Sequence, residues 1–336
     1  MRPPGPLSVH TPRARLSVST VRGSRRVFAV ETAHGAVMCL EFPRRPFTAR
    51  EATALSISRH RLDEAVRNKE VCRLLTGVFL PADVDETPEI RARAACLVIS
   101  RYAVVCDELA AWIHGVDSFR YSVGDLGVPI TTYVLRGHSP TNRPEVKGGT
   151  RDLLPGDWML IGGVRVTTPV RTALDLGCKL SRRRALAAMD ALMRATGFTR
   201  VEARALLRRY RRRRGVIQLR ELLPLVDPRA ESARESWMRL AIHDHGLPTP
   251  QPQWWIKVAG VPTYRLDLAY PFARIAVEYN GEAFHSGEEA ESSDAERLEW
   301  LTEHGWTVIV VTKQNFDDGP VPSWLRELTD ALRATA

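Results

Sequence analysis

The chain of 336 residues is poor in the features that mark secreted, membrane-spanning and zinc-stabilised proteins. Its five cysteines, Cys39, Cys72, Cys96, Cys106 and Cys178, are odd in number, scattered, and never spaced as a CxxC pair. That pattern argues against a disulfide framework and a zinc ribbon, and reduced thiols follow. No apolar run reaches the roughly 20 residues that a membrane helix needs. The opening MRPPGPLSVHTPRARLSV lacks both the apolar segment and the small-residue cleavage site of a secretory signal. A cytoplasmic location with no membrane partner is the resulting expectation.

What the chain does have is material for ordinary soluble domains, with 44% hydrophobic and 26% charged residues. Its length calls for two or three domains rather than a single core. The net charge of +9 is unevenly spread. From Glu231 onward there are 9 Lys and Arg against 17 Asp and Glu, a net of −8, which leaves +17 for residues 1–230. A basic part able to meet an anionic partner is therefore joined to an acidic part with different work.

Residues 1–45, rich in Arg, Pro, Ser and Gly, show no sustained periodicity and are expected to form a disordered or weakly ordered extension. Over residues 46–82, Thr48 and Ser58 can each cap a helix, the second carrying Leu62, Ala65 and Val66 on one face. VCRLL and VFL around Thr76-Gly77 read as a two-stranded wing. A winged helix-turn-helix is the simplest assembly, with Arg59, Arg61 and Arg67 on the second helix facing DNA. Residues 88–226 follow as a middle α/β region. Its first part, 89–118, is alanine-rich with a helical period up to Gly115, and short strands are expected over 119–170. Helices then resume, with Arg171 and Asp175 spaced to pair. The densest charge run holds Arg208, Arg209, Arg211, Arg212, Arg213 and Arg214 around Tyr210. Such a cluster repels itself unless solvated or neutralised, and phosphate contact is the functional reading.

After Asp227-Pro228 the pattern becomes helix, three strands, helix, strand, helix. Asp267 and Glu278 each interrupt an otherwise apolar strand, where an unpaired carboxylate costs several kcal/mol. Antiparallel pairing can bring the two side by side, and a hard divalent cation would neutralise both. The nearby His243, Asp244 and His245 are explained by a helix end rather than by a metal.

The run Asp267, Glu278-Tyr279-Asn280-Gly281, His285, Asp294, Arg297 and Gly305-Trp306-Thr307-Val308 resembles the DUF559 domain, related to very-short-patch-repair endonucleases of the PD-(D/E)XK fold. The likeness spans about residues 229–332 and includes Glu235-Ser236. Upstream, VVCDELAAWIHGVD, VTTPVRTALDLG and the winged helix before them are similar to AbiEi-like antitoxin proteins, although Cys106-Asp107 stands where Ser-His is more usual. The first resemblance implies Mg²⁺ (or Mn²⁺) held by Asp267, Glu278 and the Tyr279 carbonyl, with Glu235 positioning a water. The signature's lysine is replaced by Asn280, which brings no charge, and His285, Arg297 or Lys313 is left to supply what is missing, His285 foremost.

The expected fold class is thus α+β and multidomain: an N-terminal winged helix, a middle α/β region, and a restriction-endonuclease-like α/β domain over 229–334. Two functions follow. One is a DNA-binding protein with a Mg²⁺-dependent endonuclease-like domain. The alternative is a non-catalytic DNA-binding regulator or antitoxin with a degenerate nuclease fold, in which case a toxin is a partner beside DNA. Asn280 favours the second.

Overall fold

Two hydroxyls set the first ordered helices. Thr48 Oγ1 accepts the Glu51 N–H at 3.2 Å and Ser58 Oγ accepts the Arg61 N–H at 3.1 Å, as an N-cap requires. The structure is a computed structural model that describes residues 42–118, 129–140, 146–280 and 288–335, with the backbone alone at 146–147 and 288–295. Ahead of these it describes three short strands, Leu16–Ser17 (β1), Ala29–Glu31 (β2) and Val37–Cys39 (β3), paired antiparallel within the stretch expected to be an extension. The chain divides into two compact units, one reaching to Arg101 and the other holding nearly everything from Tyr102.

In the first unit Phe47–Thr48 (β4) leads into Ala49–Ala54 (α1), Arg59–Arg67 (α2), Val71–Leu75 (β5) and Val78–Pro81 (β6). The strands pair antiparallel in the order β4-β6-β5. Gly77, at φ +77°, makes the turn between β5 and β6, a conformation that costs glycine nothing. Phe47, Ile57, Leu62, Ala65, Val71 and Phe79 close a small core. Helix, turn, helix and hairpin thus lie where the sequence places them. Pro88–Cys96 (α3) follows, capped by Thr87.

The expected run of helix across 89–118 is corrected. After α3 the chain forms a strand, Ala103–Val105 (β7), and a separate helix, Asp107–Ile113 (α4). The three residues of β7 are all buried, two of them are β-branched, and they run through the middle of a sheet, where such side chains pack best. Asp107 then takes a positive φ of 59°, so no helix could run through this point.

In the second unit, Ile130–Val134 (β8), Val146–Thr150 (β9), Trp158–Ile161 (β10) and Val164–Thr167 (β11) join β7 in a five-stranded sheet ordered β10-β11-β7-β8-β9. The β7–β11 pair is parallel. Against it stand Pro169–Lys179 (α5), Arg182–Thr196 (α6), Arg200–Leu207 (α7) and Val216–Leu222 (α8). Their core includes Leu174, Leu186, Met189 and Leu219, and it also takes Leu240 from the next helix, Ala233–Asp244 (α9).

That helix opens the acidic part: Gln251–Val258 (β12), Val261–Tyr270 (β13), Ile275–Tyr279 (β14), Glu288–Glu303 (α10), Thr307–Val311 (β15) and Ser323–Ala334 (α11). The expected order of helix, three strands, helix, strand, helix is therefore present. β12, β13 and β14 are antiparallel neighbours, and α10 carries the chain over to β15, parallel to β14. One face of the sheet packs under α9 and α11 through Met238, Ile242, Val277, Phe316 and Trp324. The other packs Leu266, Ala269 and Ala276 against Leu301 of α10.

Asp227-Pro228, where the composition changes, is a turn inside this second unit. Across it Asp190 of α6 is buried and accepts the Asp227 N–H at 2.8 Å and the Ser236 hydroxyl at 2.7 Å. Arg182 reaches Asp244, and Arg183 reaches Asp317 with two bonds.

Candidate functional site

The acidic residues singled out in the sequence meet at one end of β13 and β14. The ladder between these strands stops at Leu268 and Val277, and beyond it Asp267 Oδ2 accepts the Tyr279 N–H at 3.0 Å. A side-chain carboxylate has taken the place of a strand carbonyl. Burial pushes Asp267 up to about 6, and the charges of Glu235 and Glu278 add to the push, while the Tyr279 N–H and Arg297 act against it. Glu235 is buried at the start of α9. Its Oε2 accepts the Glu231 N–H at 3.0 Å and Gln253 Nε2 at 2.7 Å, and the Gln253 side-chain oxygen is buried with no donor.

Glu278 differs from its neighbours in having a cation. Arg297 of α10 donates to its two oxygens at 2.5 and 2.8 Å and to the Arg265 carbonyl at 3.1 Å. Arg297 therefore reaches across to the sheet. Asn280 is exposed, and its N–H continues the ladder to the Val311 carbonyl. His285 lies outside the described residues. So does the side chain of Asp294.

The resemblance to a nuclease implies a divalent cation on Asp267, Glu278 and the Tyr279 carbonyl. The donors are of the right kind, hard oxygens. In this structure both Glu278 oxygens are engaged by Arg297, so Glu278 could take an ion only by giving up that pair.

The basic residues separate into two sets. In the first unit Arg59 and Arg67 are exposed, with Arg59 only 3.9 Å from Asp63. Arg61 is engaged, bonding Glu70 at 2.6 Å and lying 5.3 Å from the Phe42 ring. In the arginine run, Arg208, Arg211, Arg212 and Arg214 are exposed. Arg209 instead clamps Asp157 at 2.6 and 2.7 Å, and Arg213 bonds Asp175 at 3.0 Å over the Tyr210 ring.

These two arginines edge a buried ionic network that sequence reasoning largely missed. Arg171, 1% exposed, bonds Asp175 at 2.9 Å and Asp157 at 2.8 Å, so the expected pairing of Arg171 with Asp175 is present. Asp107, 1% exposed, takes both terminal nitrogens of Arg151 at 2.8 and 2.9 Å and Lys179 at 2.9 Å. Burial alone would raise Asp107, yet Arg151 and Lys179 hold it below the usual carboxylate range. The available signal was Asp107 within the apolar VVCDELAAWI. Arg151, 44 residues away, carried none.

With this geometry in view, residues 103–225, which hold the five-stranded sheet, the network and α4 to α8, match the AbiEi antitoxin C-terminal domain family. Two proteins of Mycobacterium tuberculosis, "Uncharacterized protein Rv2248" of strain H37Rv and "Uncharacterized protein MT2308" of strain CDC 1551, are each 33% identical to the chain over 260 residues, 76% of this chain and 90% of the relative. The chain belongs to the family of these two proteins, and its middle, residues 103–225, is similar to the AbiEi antitoxin C-terminal domain. The matches support the antitoxin resemblance; they lend none to the nuclease reading of residues 229–334.

Proposed function

We propose that this protein is a DNA-binding regulator of the antitoxin type. The observation that carries the reading is the antitoxin-family match over residues 103–225. It is preceded by a helix-turn-helix and hairpin that we read as a winged helix, on whose second helix Arg59 and Arg67 are exposed. In this reading α2 enters the major groove while those arginines hold phosphates. The middle region meets a toxin. The C-terminal sheet is a nuclease-like fold whose acidic site has been closed by Arg297. Footprinting the DNA upstream of the chain's own coding sequence with the purified full-length protein tests the first half, and protection of a discrete site is expected. Binding with no sequence preference, or none, overturns it.

A second reading keeps a hydrolytic role for Asp267, Glu278 and Glu235. One observation favours it: Asp267, raised to about 6, lies close enough to Glu235 and Glu278 for their charges to add to the shift, as a cluster awaiting a cation would. Incubating the full-length protein with supercoiled plasmid and Mg²⁺ or Mn²⁺ decides between the two. Nicking that is lost in Asp267→Ala would establish the second.

A further inference from the structure

Between Glu202 and Glu221 the chain carries eight arginines and no carboxylate. Both glutamates are already engaged. Glu202 accepts the Thr199 N–H at 2.6 Å at the head of α7, and Glu221 takes Arg182 at 2.6 Å. Of the eight arginines, Arg209 and Arg213 turn inward to Asp157 and Asp175. The other six, Arg204, Arg208, Arg211, Arg212, Arg214 and Arg220, are exposed, and among the described residues no carboxylate pairs with any of them.

Like charges so close repel one another and would separate into water if the backbone let them. This backbone does not. Tyr210, 1% exposed, donates its hydroxyl to Asp175 at 2.7 Å, and Arg209 and Arg213 tie the loop to the same buried carboxylates. Arg212 takes a φ of +65°, which a residue with a side chain rarely adopts unless its surroundings impose it. Gly215 ends the loop at φ +79°, where an added Cβ would stand 2.0 Å from the Cys178 carbonyl oxygen. Arg208, Arg211, Arg212 and Arg214 are thus gathered at one knuckle between α7 and α8 by bonds made beneath them. An external polyanion would relieve their repulsion.

A guanidinium can grip a phosphate or a carboxylate, and the setting chooses between them. An acidic protein surface calls for an apolar centre ringed by charges, whereas the exposed side chains of residues 208–214 are all arginine. Single-stranded nucleic acid is held largely by bases stacked on exposed aromatic rings. The one aromatic of this stretch, Tyr210, is buried, with the Arg213 guanidinium 4.7 Å from its ring centre. Duplex DNA remains, with one negative charge per about 1.7 Å of its axis and no need of a stacking partner.

We propose that the knuckle of Arg208, Arg211, Arg212 and Arg214, flanked by Arg204 and Arg220, grips the phosphate backbone of duplex DNA without reading its sequence. The middle region makes this contact, and it does not depend on the winged-helix reading.

Fluorescence anisotropy with a labelled duplex of arbitrary sequence, over a range of salt, tests this. The full-length protein carries Arg59→Ala and Arg67→Ala throughout, so that the exposed arginines of α2 contribute nothing. This background protein still binds. Adding Arg211→Ala, Arg212→Ala and Arg214→Ala weakens binding and lowers the slope of log K against log salt by about 3, one counterion for each lost phosphate contact. Adding instead Arg326→Ala and Arg333→Ala, which removes two exposed charges of α11, leaves the slope unchanged. All variants melt at the temperature of the background protein. The proposal is overturned by no binding of the background protein, by a slope that the three changes do not move, or by an equal effect per charge in the α11 control. Binding of oligo(dT) or polyglutamate as tight as that of the duplex overturns it too.

Discussion

Arg297 donates to both oxygens of Glu278, at 2.5 and 2.8 Å. One carboxylate of a three-carboxylate cluster is thereby matched by a cation that the chain itself supplies, while Asp267 beside it is left at about 6. The pairing joins α10 to β14.

Arg297→Gln is expected to destabilise the protein by about 1–2 kcal/mol, since it leaves Glu278 without its partner in a setting that is only partly exposed. The variant, and not the wild type, then gains a rise in melting temperature with millimolar Mn²⁺, because the freed carboxylates bind the ion in the folded state only. Thermal melts of both proteins with and without Mn²⁺ measure it, and a wild-type response equal to that of the variant refutes the closed site.

Asp267 has the opposite pH behaviour to a salt-bridged aspartate. Its folded value of about 6 stands above an unfolded value of about 4. The folded chain binds the extra proton between these values, so this contribution to stability is full below pH 4 and is lost as pH rises through 6. Asp267→Asn keeps an oxygen for the Tyr279 N–H and carries no charge. The variant is expected to be more stable than the wild type by about 1–2 kcal/mol at pH 7.5, with the advantage gone near pH 4. Urea unfolding at the two pH values checks this. An advantage that did not change with pH would assign it to packing.

Among the arginines of α2, Arg59 and Arg67 are exposed and Arg61 is tied to Glu70. The double change Arg59→Ala with Arg67→Ala is expected to weaken DNA binding and to reduce the slope of log K against log salt by about 2, one released counterion per lost phosphate contact. Thermal stability is unchanged. Arg61→Ala lowers the melting temperature of the first unit as well. A salt slope untouched by the double change removes both residues from the DNA face.

The arginine run is expected to divide in the same way. Changing Arg211, Arg212 and Arg214 to Ala leaves stability within about 0.5 kcal/mol, as usual for exposed positions. Changing Arg209 and Arg213 to Ala costs about 2 kcal/mol or more, because Asp157 and Asp175 remain buried with fewer donors. Denaturant unfolding of the two variants separates phosphate-facing from structural arginines. Equal losses would contradict the division.

Much of this fold was legible because it follows from short-range rules. The caps at Thr48 and Ser58, the Gly77 turn and the element order from α9 to α11 all lie where local pattern placed them. Strand β7 was missed because a three-residue apolar segment inside an alanine-rich stretch has no period of its own, and only its neighbours β8 and β11 make it a strand. The carboxylates of the candidate site were legible as charges in apolar strands. Their partners were not: Gln253 is 18 residues from Glu235, Arg297 is 19 from Glu278, and Arg151 is 44 from Asp107.

Helix α9 serves two cores at once, giving Leu240 to the helical layer of the middle region and Met238 and Ile242 to the sheet beyond it. Together with Asp190, which grips both Asp227 and Ser236, this makes the apparent joint at residue 227 a poor place to divide the gene. A fragment starting there would carry a helix with one apolar side bare, and a fragment ending there would leave a buried carboxylate without its hydroxyl donor. The two regions are thus bound to be inherited and to melt together, and recombination that shuffled one without the other would have to rebuild α9 first.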